Sequence, residues 1–443
     1  MRWHASAAAF GLWACLTGSP FAAASSSEID PAVEHAFHRA QVLCEADGSR
    51  LWGIDLCGPL LVADPATRRV VANRDGVLTP LRSTGALFLG TLPDDVPIAN
   101  TAVDWNGRRW TMLMSPLPDA EPALSILLMH EAWHRVQREI GLGAVNADQD
   151  HLDTLEGRLW LRLELRALAA AVGATDTDAH AVALDDALAF RAWRRMRCAG
   201  AGPAEDALER HEGLAEYTGR VLARDRDLVF HLVRDLQAAD AVSEYARSFA
   251  YATGPAYGVL LDRHVPGWRR NWDRRGGLAE LLPAAATRPT AALDATALER
   301  AGARYGIDGV RLEETARDVE RQRAIAAWRR KLVDGPRLVL PVAGASFSFD
   351  PSRVTPLPPE GAVYGTIRVA TTWGVLEAGE GGLLSRDWQQ LAVSRDGITR
   401  SADEIRGAGW VLRLAPGWGL SDAGPSGDWT LRRSDDAVAR PAD

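Results

Sequence analysis

The sequence predicts an α+β chain: a small β-sheet, then a helical bundle, then a C-terminal all-β domain. Three observations predict it. The runs 101–105 and 108–114 flank Asn106-Gly107, a pair that accepts the positive φ angles of a two-residue hairpin turn. From about 120 to 335 apolar residues recur at helical spacing. From Pro336 onward the texture changes to Gly, Pro, Trp and alternating apolar runs such as 365–369 and 410–414.

The elements follow in order. Residues 1–24 read as an export signal: Arg2 and His4, an apolar stretch from Ala5 to about Leu16, then Ala22-Ala23-Ala24, with cleavage expected after Ala24. The stretch is too short to span a bilayer as a mature helix. A second reading takes Leu12-Trp13-Ala14-Cys15 as a lipoprotein box that leaves Cys15 lipidated; the bulky Trp13 fits such a box poorly. Residues 25–118 form an N-terminal helix and β-sheet subdomain, with short apolar runs at Leu60-Leu61-Val62 and Val70-Val71. Residues 119–282 form a helical subdomain, with helices expected near 150–172, 178–197, 204–224, 226–250 and 255–263. Residues 283–335 begin as a Pro/Ala/Thr linker and end in a charged helix near 311–333. Residues 336–443 form the β-rich accessory domain, where Trp373, Trp388, Trp410, Trp418 and Trp429 suit the core of a small sheet domain, or a sugar- or peptide-binding row.

Composition sets bounds. A chain of 443 residues exceeds a single typical core. The formal charge of −8 provides no basic footprint, which argues against nucleic acid as a partner. After signal cleavage Cys44, Cys57 and Cys198 remain. They lack zinc spacing, and Cys44 and Cys57 are close enough in sequence to pair in an oxidising compartment, which leaves Cys198 over.

The chemistry sits in His130-Glu131-Ala132-Trp133-His134. Met129, Trp133, Val136 and Ile140 form one apolar stripe, so this segment is helical; Asp119 can cap its start and Gly141 or Gly143 can end it. Histidines at i and i+4 share a helix face and can reach one ion. Zinc accepts imidazole nitrogen and keeps an open position when the protein supplies three ligands. Glu131, beside the first histidine, is placed to act as general base.

A third ligand must come from elsewhere. No histidine follows at the spacing of the longer three-histidine motif, and His151 lies too far on. A carboxylate is therefore expected. Glu212, in His211-Glu212-Gly213-Leu214-Ala215-Glu216-Tyr217, falls on a stripe with Leu208, Ala215, Gly219 and Leu222, where a carboxylate needs a cation. Glu216, one turn on, can support a ligand histidine. Glu156, in Leu155-Glu156-Gly157-Arg158, is the rival ligand, and Glu212 is preferred.

Together, His130-Glu131-x-x-His134 and Glu212-Gly-Leu-Ala-Glu216-Tyr217 resemble the gluzincin group of zinc metallopeptidases. The resemblance covers about 100–260. It implies a zincin-like catalytic unit, zinc on His130, His134 and Glu212, and Glu131 as general base. The long separation between His134 and Glu212 then requires a helical insertion over 144–204. In that group the strand before the active helix often holds substrate by strand addition, a role open to 108–114 alongside plain core packing. Transition-state stabilisation would fall to Tyr217, Tyr251, Tyr257 or His264; Tyr257 is chosen for its turn-like Gly254-Pro255-Ala256-Tyr257-Gly258 setting.

The expected activity is hydrolysis of peptide bonds in peptides or proteins by an exported enzyme, periplasmic or secreted. Two rivals stand beside it: a non-catalytic envelope- or glycan-binding protein working through the β domain, and a zinc hydrolase acting on a bond other than a peptide.

Overall fold

The structure, a computed structural model, describes residues 29–93, 96–143, 149–242, 244–246, 248–282, 294–350, 353–401, 404–421 and 427–433. The export signal with Cys15, and the expected linker as far as residue 293, lie outside the described residues. The chain is mixed α/β and divides into two compact units: residues up to Gly48 with Asp55–Arg135, and Ser49–Ile54 with Val136–Asp443. Among the described residues no helix is long and apolar enough to cross a membrane.

The first unit opens with helix α1 (Pro31–Asp47). Asp30 caps it by accepting the Ala32 N–H, Pro31 occupies its first turn, and Gly48 ends it in the left-handed region. A six-stranded sheet follows: β1 (Leu60–Ala63), β2 (Arg69–Ala72), β3 (Arg82–Ser83), β4 (Phe88–Thr91), β5 (Thr101–Trp105) and β6 (Arg108–Met114), in the order β3-β4-β2-β1-β6-β5. The Asn106-Gly107 hairpin forms as expected, with both turn residues at positive φ. Leu61, Ala63, Val70, Ala72, Leu92, Trp110 and Met112 make the core of this sheet. Strand β6 pairs with β1 in parallel and with β5 antiparallel, so both of its edges are filled. The expected docking of substrate on 108–114 therefore fails: β3 and β5, not β6, are the edge strands of the sheet.

The unit ends in α2 (Ala123–Val136). Its start is held not by Asp119 but by Glu121, whose carboxylate accepts the Ser125 N–H at 3.3 Å. It stops at Val136, a turn short of Ile140 and Gly141. The Cys44–Cys57 disulfide forms, with Cα atoms 5.2 Å apart, and Cys198 is free. Arg135, in the last turn of α2, donates to the carbonyls of Asp55, Leu56 and Cys57 at 3.3, 3.1 and 3.3 Å. A Cβ at Gly58 would lie 2.3 Å from that guanidinium, so only glycine lets Arg135 reach the bridged segment.

The second unit contains α3 (Leu155–Gly173), α4 (Thr177–Arg197), α5 (Ala201–Leu208), α6 (Leu214–Leu222), α7 (Leu228–Ala239), α8 (Phe249–His264), α9 (Trp268–Asn271), α10 (Ala295–Ala303) and α11 (Ile307–Arg329). The helix expected over 226–250 thus ends at Ala239, the one expected over 255–263 begins earlier, at Phe249, and the helix expected over 204–224 is interrupted by a π turn, Glu209–Gly213. The C-terminal part is all antiparallel sheet. One sheet runs Arg337–Pro341, Gln390–Ser394, Gly382–Ser385, Gly361–Tyr364, Val354–Leu357. A second runs Thr399–Arg400, Glu404–Gly407, Trp410–Leu414, Gly374–Ala378, Ile367–Thr371, Ser346–Phe349, and Trp418–Leu420 pairs with Leu431–Arg433 in a third. The first two sheets share one core. Trp373 and Trp410 are buried in that core and Trp418 and Trp429 pack against it, which favours the core-filling reading of these rings; Trp388 is exposed.

Candidate metal centre

The segment of α2 that carries the motif is hidden almost entirely. His130, Glu131 and His134 are 6%, 4% and 8% exposed, among buried Leu128, Met129, Ala132, Trp133 and Val136. Helical spacing sets the two imidazoles one turn apart, with ring centroids 4.8 Å apart and Nε2 atoms 3.0 Å apart. Burial of three ionisable side chains on one turn is costly unless the site has a use for them.

Glu212 stands on the π turn between α5 and α6, where the Leu214 N–H reaches back five residues to the Glu209 carbonyl. Such turns recur at functional sites because the inserted residue re-aims the helix face. One Glu212 oxygen accepts the Tyr251 hydroxyl at 2.6 Å, and the other lies 3.4 Å from His211 Nε2. His211 in turn meets the Gln137 amide through Nδ1.

His130, His134 and Glu212 each offer one ligand atom, all within 4.8 Å of one another. Two nitrogens that share a tetrahedral zinc at ~2.0–2.1 Å stand about 3.3 Å apart. The observed 3.0 Å between the Nε2 atoms is close to that separation, so the donor set suits zinc. Glu156, the rival third ligand, lies outside this cluster; its carboxylate accepts the Trp160 indole at 2.9 Å and is half-exposed. Glu216 pairs with Arg220 at 2.8 Å.

Tyr257 belongs to a different environment. It is fully buried, its hydroxyl donates to Glu164 at 2.7 Å, and the Arg191 guanidinium lies over its ring. Burial first, then the Glu164 charge, hold its phenol well above the ordinary value. The tyrosine seen to touch a cluster member is Tyr251, whereas the expected catalytic Tyr257 lies inside helix α8 with its hydroxyl bonded to buried Glu164. Tyr217 is likewise engaged, donating to Asp262 at 2.6 Å, and His264 stacks on His180 with Nε2 atoms 2.7 Å apart. Burial, then His180 and Arg263, lower the His264 pKa. His151 is a packing residue, bonded to buried Glu205 at 2.8 Å.

Sequence reasoning missed Glu209 and Thr253. Glu209 is 0% exposed and is held by Arg191 Nη1 at 2.9 Å and by the Thr253 hydroxyl at 2.6 Å. A carboxylate three residues before Glu212, on the same helix face, was the available signal. In comparison with known proteins, the chain matches no family model, no curated protein and no solved structure.

Proposed function

We propose that the chain is an exported zinc-dependent hydrolase of peptide bonds, with a zincin-like catalytic part of the gluzincin type. The observation that carries this reading is the convergence of His130, His134 and Glu212. Two imidazoles and one carboxylate are the ligand set of zinc hydrolases that keep an open position for chemistry. Bound there, zinc would supply Lewis acidity toward a carbonyl and toward water.

The chain's own residues do the rest. Glu131, next to the first histidine, takes the proton of the attacking water and returns it to the departing amine, so that the carboxylate ends each cycle as it began. Tyr251 and His211 flank Glu212 and fix its two oxygens. A substrate bound as a strand would add to the β5 edge, since β6 is filled on both sides. The Cys44–Cys57 disulfide fits an exported chain, because such bridges persist in oxidising compartments.

The test uses the full chain. Elemental analysis is expected to find one zinc per chain, absent from His134→Ala. A mixed peptide library is expected to be cut by the zinc-loaded protein and spared by Glu131→Gln, with a loss on the order of 10²–10⁴-fold. A chain that takes up no zinc even when reloaded would end this reading. One that binds zinc and cleaves esters but no peptide would move it to a different bond.

A further inference from the structure

We infer that the π turn Glu209–Gly213 is a ligand-presenting device locked from one side by α8, with Tyr251 the positioning residue for the Glu212 carboxylate. This rests on the reading of Glu212 as a zinc ligand.

Three nearby residues of α8 grip three points of the turn. Thr253, itself fully buried, donates its hydroxyl to Glu209 at 2.6 Å at the start of the turn. Tyr251 donates to Glu212 at 2.6 Å. Gly254 meets Gly213 backbone to backbone: a Cβ on Gly254 would lie 2.2 Å from the Gly213 Cα, and one on Gly213 would lie 2.9 Å from the Gly254 Cα. Neither position can bear a side chain without moving the helices apart.

The other end of Glu209 is also held. Arg191, fully buried in α4, donates to Glu209 and to Glu164. Burial pushes the Glu209 carboxyl up, against the pull of Arg191. The anchor of the turn is therefore a rigid, buried bond pattern, whereas Glu212, three residues on, projects a carboxylate that is 18% exposed. Pro255, inside α8, brings no N–H to the helical ladder, so both helices depart from the regular pattern where they meet.

The chemical consequence concerns the carboxylate. With one oxygen accepting the Tyr251 hydroxyl, Glu212 is held to one rotamer, which favours single-oxygen ligation. An outer hydrogen bond of this kind typically sustains a 10–100-fold gain in metal affinity.

Zinc affinity of the full-length chain, measured by competition with a chromophoric chelator, tests this. Tyr251→Phe and Thr253→Val are each expected to weaken zinc binding 10–100-fold. Thr253→Ser, which keeps the hydroxyl, is expected to restore it. The cobalt-substituted Tyr251→Phe protein is expected to show an altered visible spectrum, a change that loss of packing elsewhere would not produce. The inference is overturned if Tyr251→Phe and Thr253→Val bind zinc as tightly as the parent while Glu212→Gln binds it weakly. If Glu212→Gln itself binds zinc like the parent, the triad reading fails, and this inference falls with it.

Discussion

Two buried polar clusters in this chain solve the same problem in opposite ways. On α4, Arg191, Arg194 and Arg195 face Glu164, Glu205, Asp206 and Glu209. Cation alternates with anion, and each carboxylate has a guanidinium within bonding distance. On α2 and the π turn, His130, His134 and Glu212 bring only electron-pair donors together. The first cluster supplies its own cations, three guanidiniums to four carboxylates. The second has the composition of a site that takes its positive charge from an ion. Burial of polar groups alone thus does not mark a functional site; the sign pattern of what is buried does.

The largest expected effect breaks the arginine–carboxylate cluster. Arg194 donates to Glu205 at 2.8 Å through two nitrogens and to Glu164 at 2.5 Å. Arg194→Met leaves those buried carboxylates short of a cation and is expected to cost about 3–5 kcal/mol in denaturant unfolding. His134→Ala, by contrast, is expected to abolish zinc uptake while changing the stability of the metal-free chain far less. Equal destabilisation of both metal-free variants would erase the distinction between the clusters.

Next comes the bridge behind α2. Cys44 and Cys57 are separated by 13 in sequence, and Arg135 ties α2 to the same segment. Cys57→Ser is expected to lower stability by about 3 kcal/mol, the loop-closure value for a ring of this size, read from the unfolding midpoint.

Metal removal sharpens the comparison from the other side. At free zinc 100-fold above its dissociation constant the ion adds about 2.7 kcal/mol. A chelator is therefore expected to lower the melting temperature of the parent and leave His134→Ala unmoved.

The pH response separates the clusters again. Burial pushes the Glu205 carboxyl up, but Arg194, His151 and Arg195 overcome it and hold it well below the model-compound value of 4.5. The unfolded chain then binds a proton that the folded chain refuses, so this contribution is complete above the unfolded value. It drains away as pH falls from there toward the folded value. The stability gap between the parent and Arg194→Met is expected to narrow over that acid range; a gap constant with pH would contradict the assignment. The smallest effect is expected from Tyr257→Phe, about 1.5 kcal/mol for one lost hydrogen bond to the Glu164 carboxylate, with peptide cleavage unchanged.

Much of this was legible in the residues. The Asn106-Gly107 hairpin, the helix that carries His130 and His134, and the antiparallel C-terminal sheets follow from local rules: turn chemistry, helical period and strand alternation. Where the reading went astray, a tertiary partner overrode the local rule. Strand β6 looked available for substrate because only its hairpin partner β5 is inferable locally; the parallel partner β1, which fills its other edge, comes from far back in the chain. Tyr257 looked catalytic because Gly and Pro surround it, yet those small residues serve the approach of α8 to Gly213 and the Tyr217 ring.

By itself, then, the sequence determined the two histidines and their glutamate, because i and i+4 on a helix share a face whatever surrounds them. It could nominate a distant carboxylate, with Glu212 preferred to Glu156, but not its position in space. Only the tertiary structure shows that a Glu212 ligand atom lies within 4.8 Å of those of His130 and His134, because that placement depends on the π turn and the glycine contact with α8. Local periodicity is a property of a few consecutive residues, whereas convergence on one point in space is a property of the packed chain.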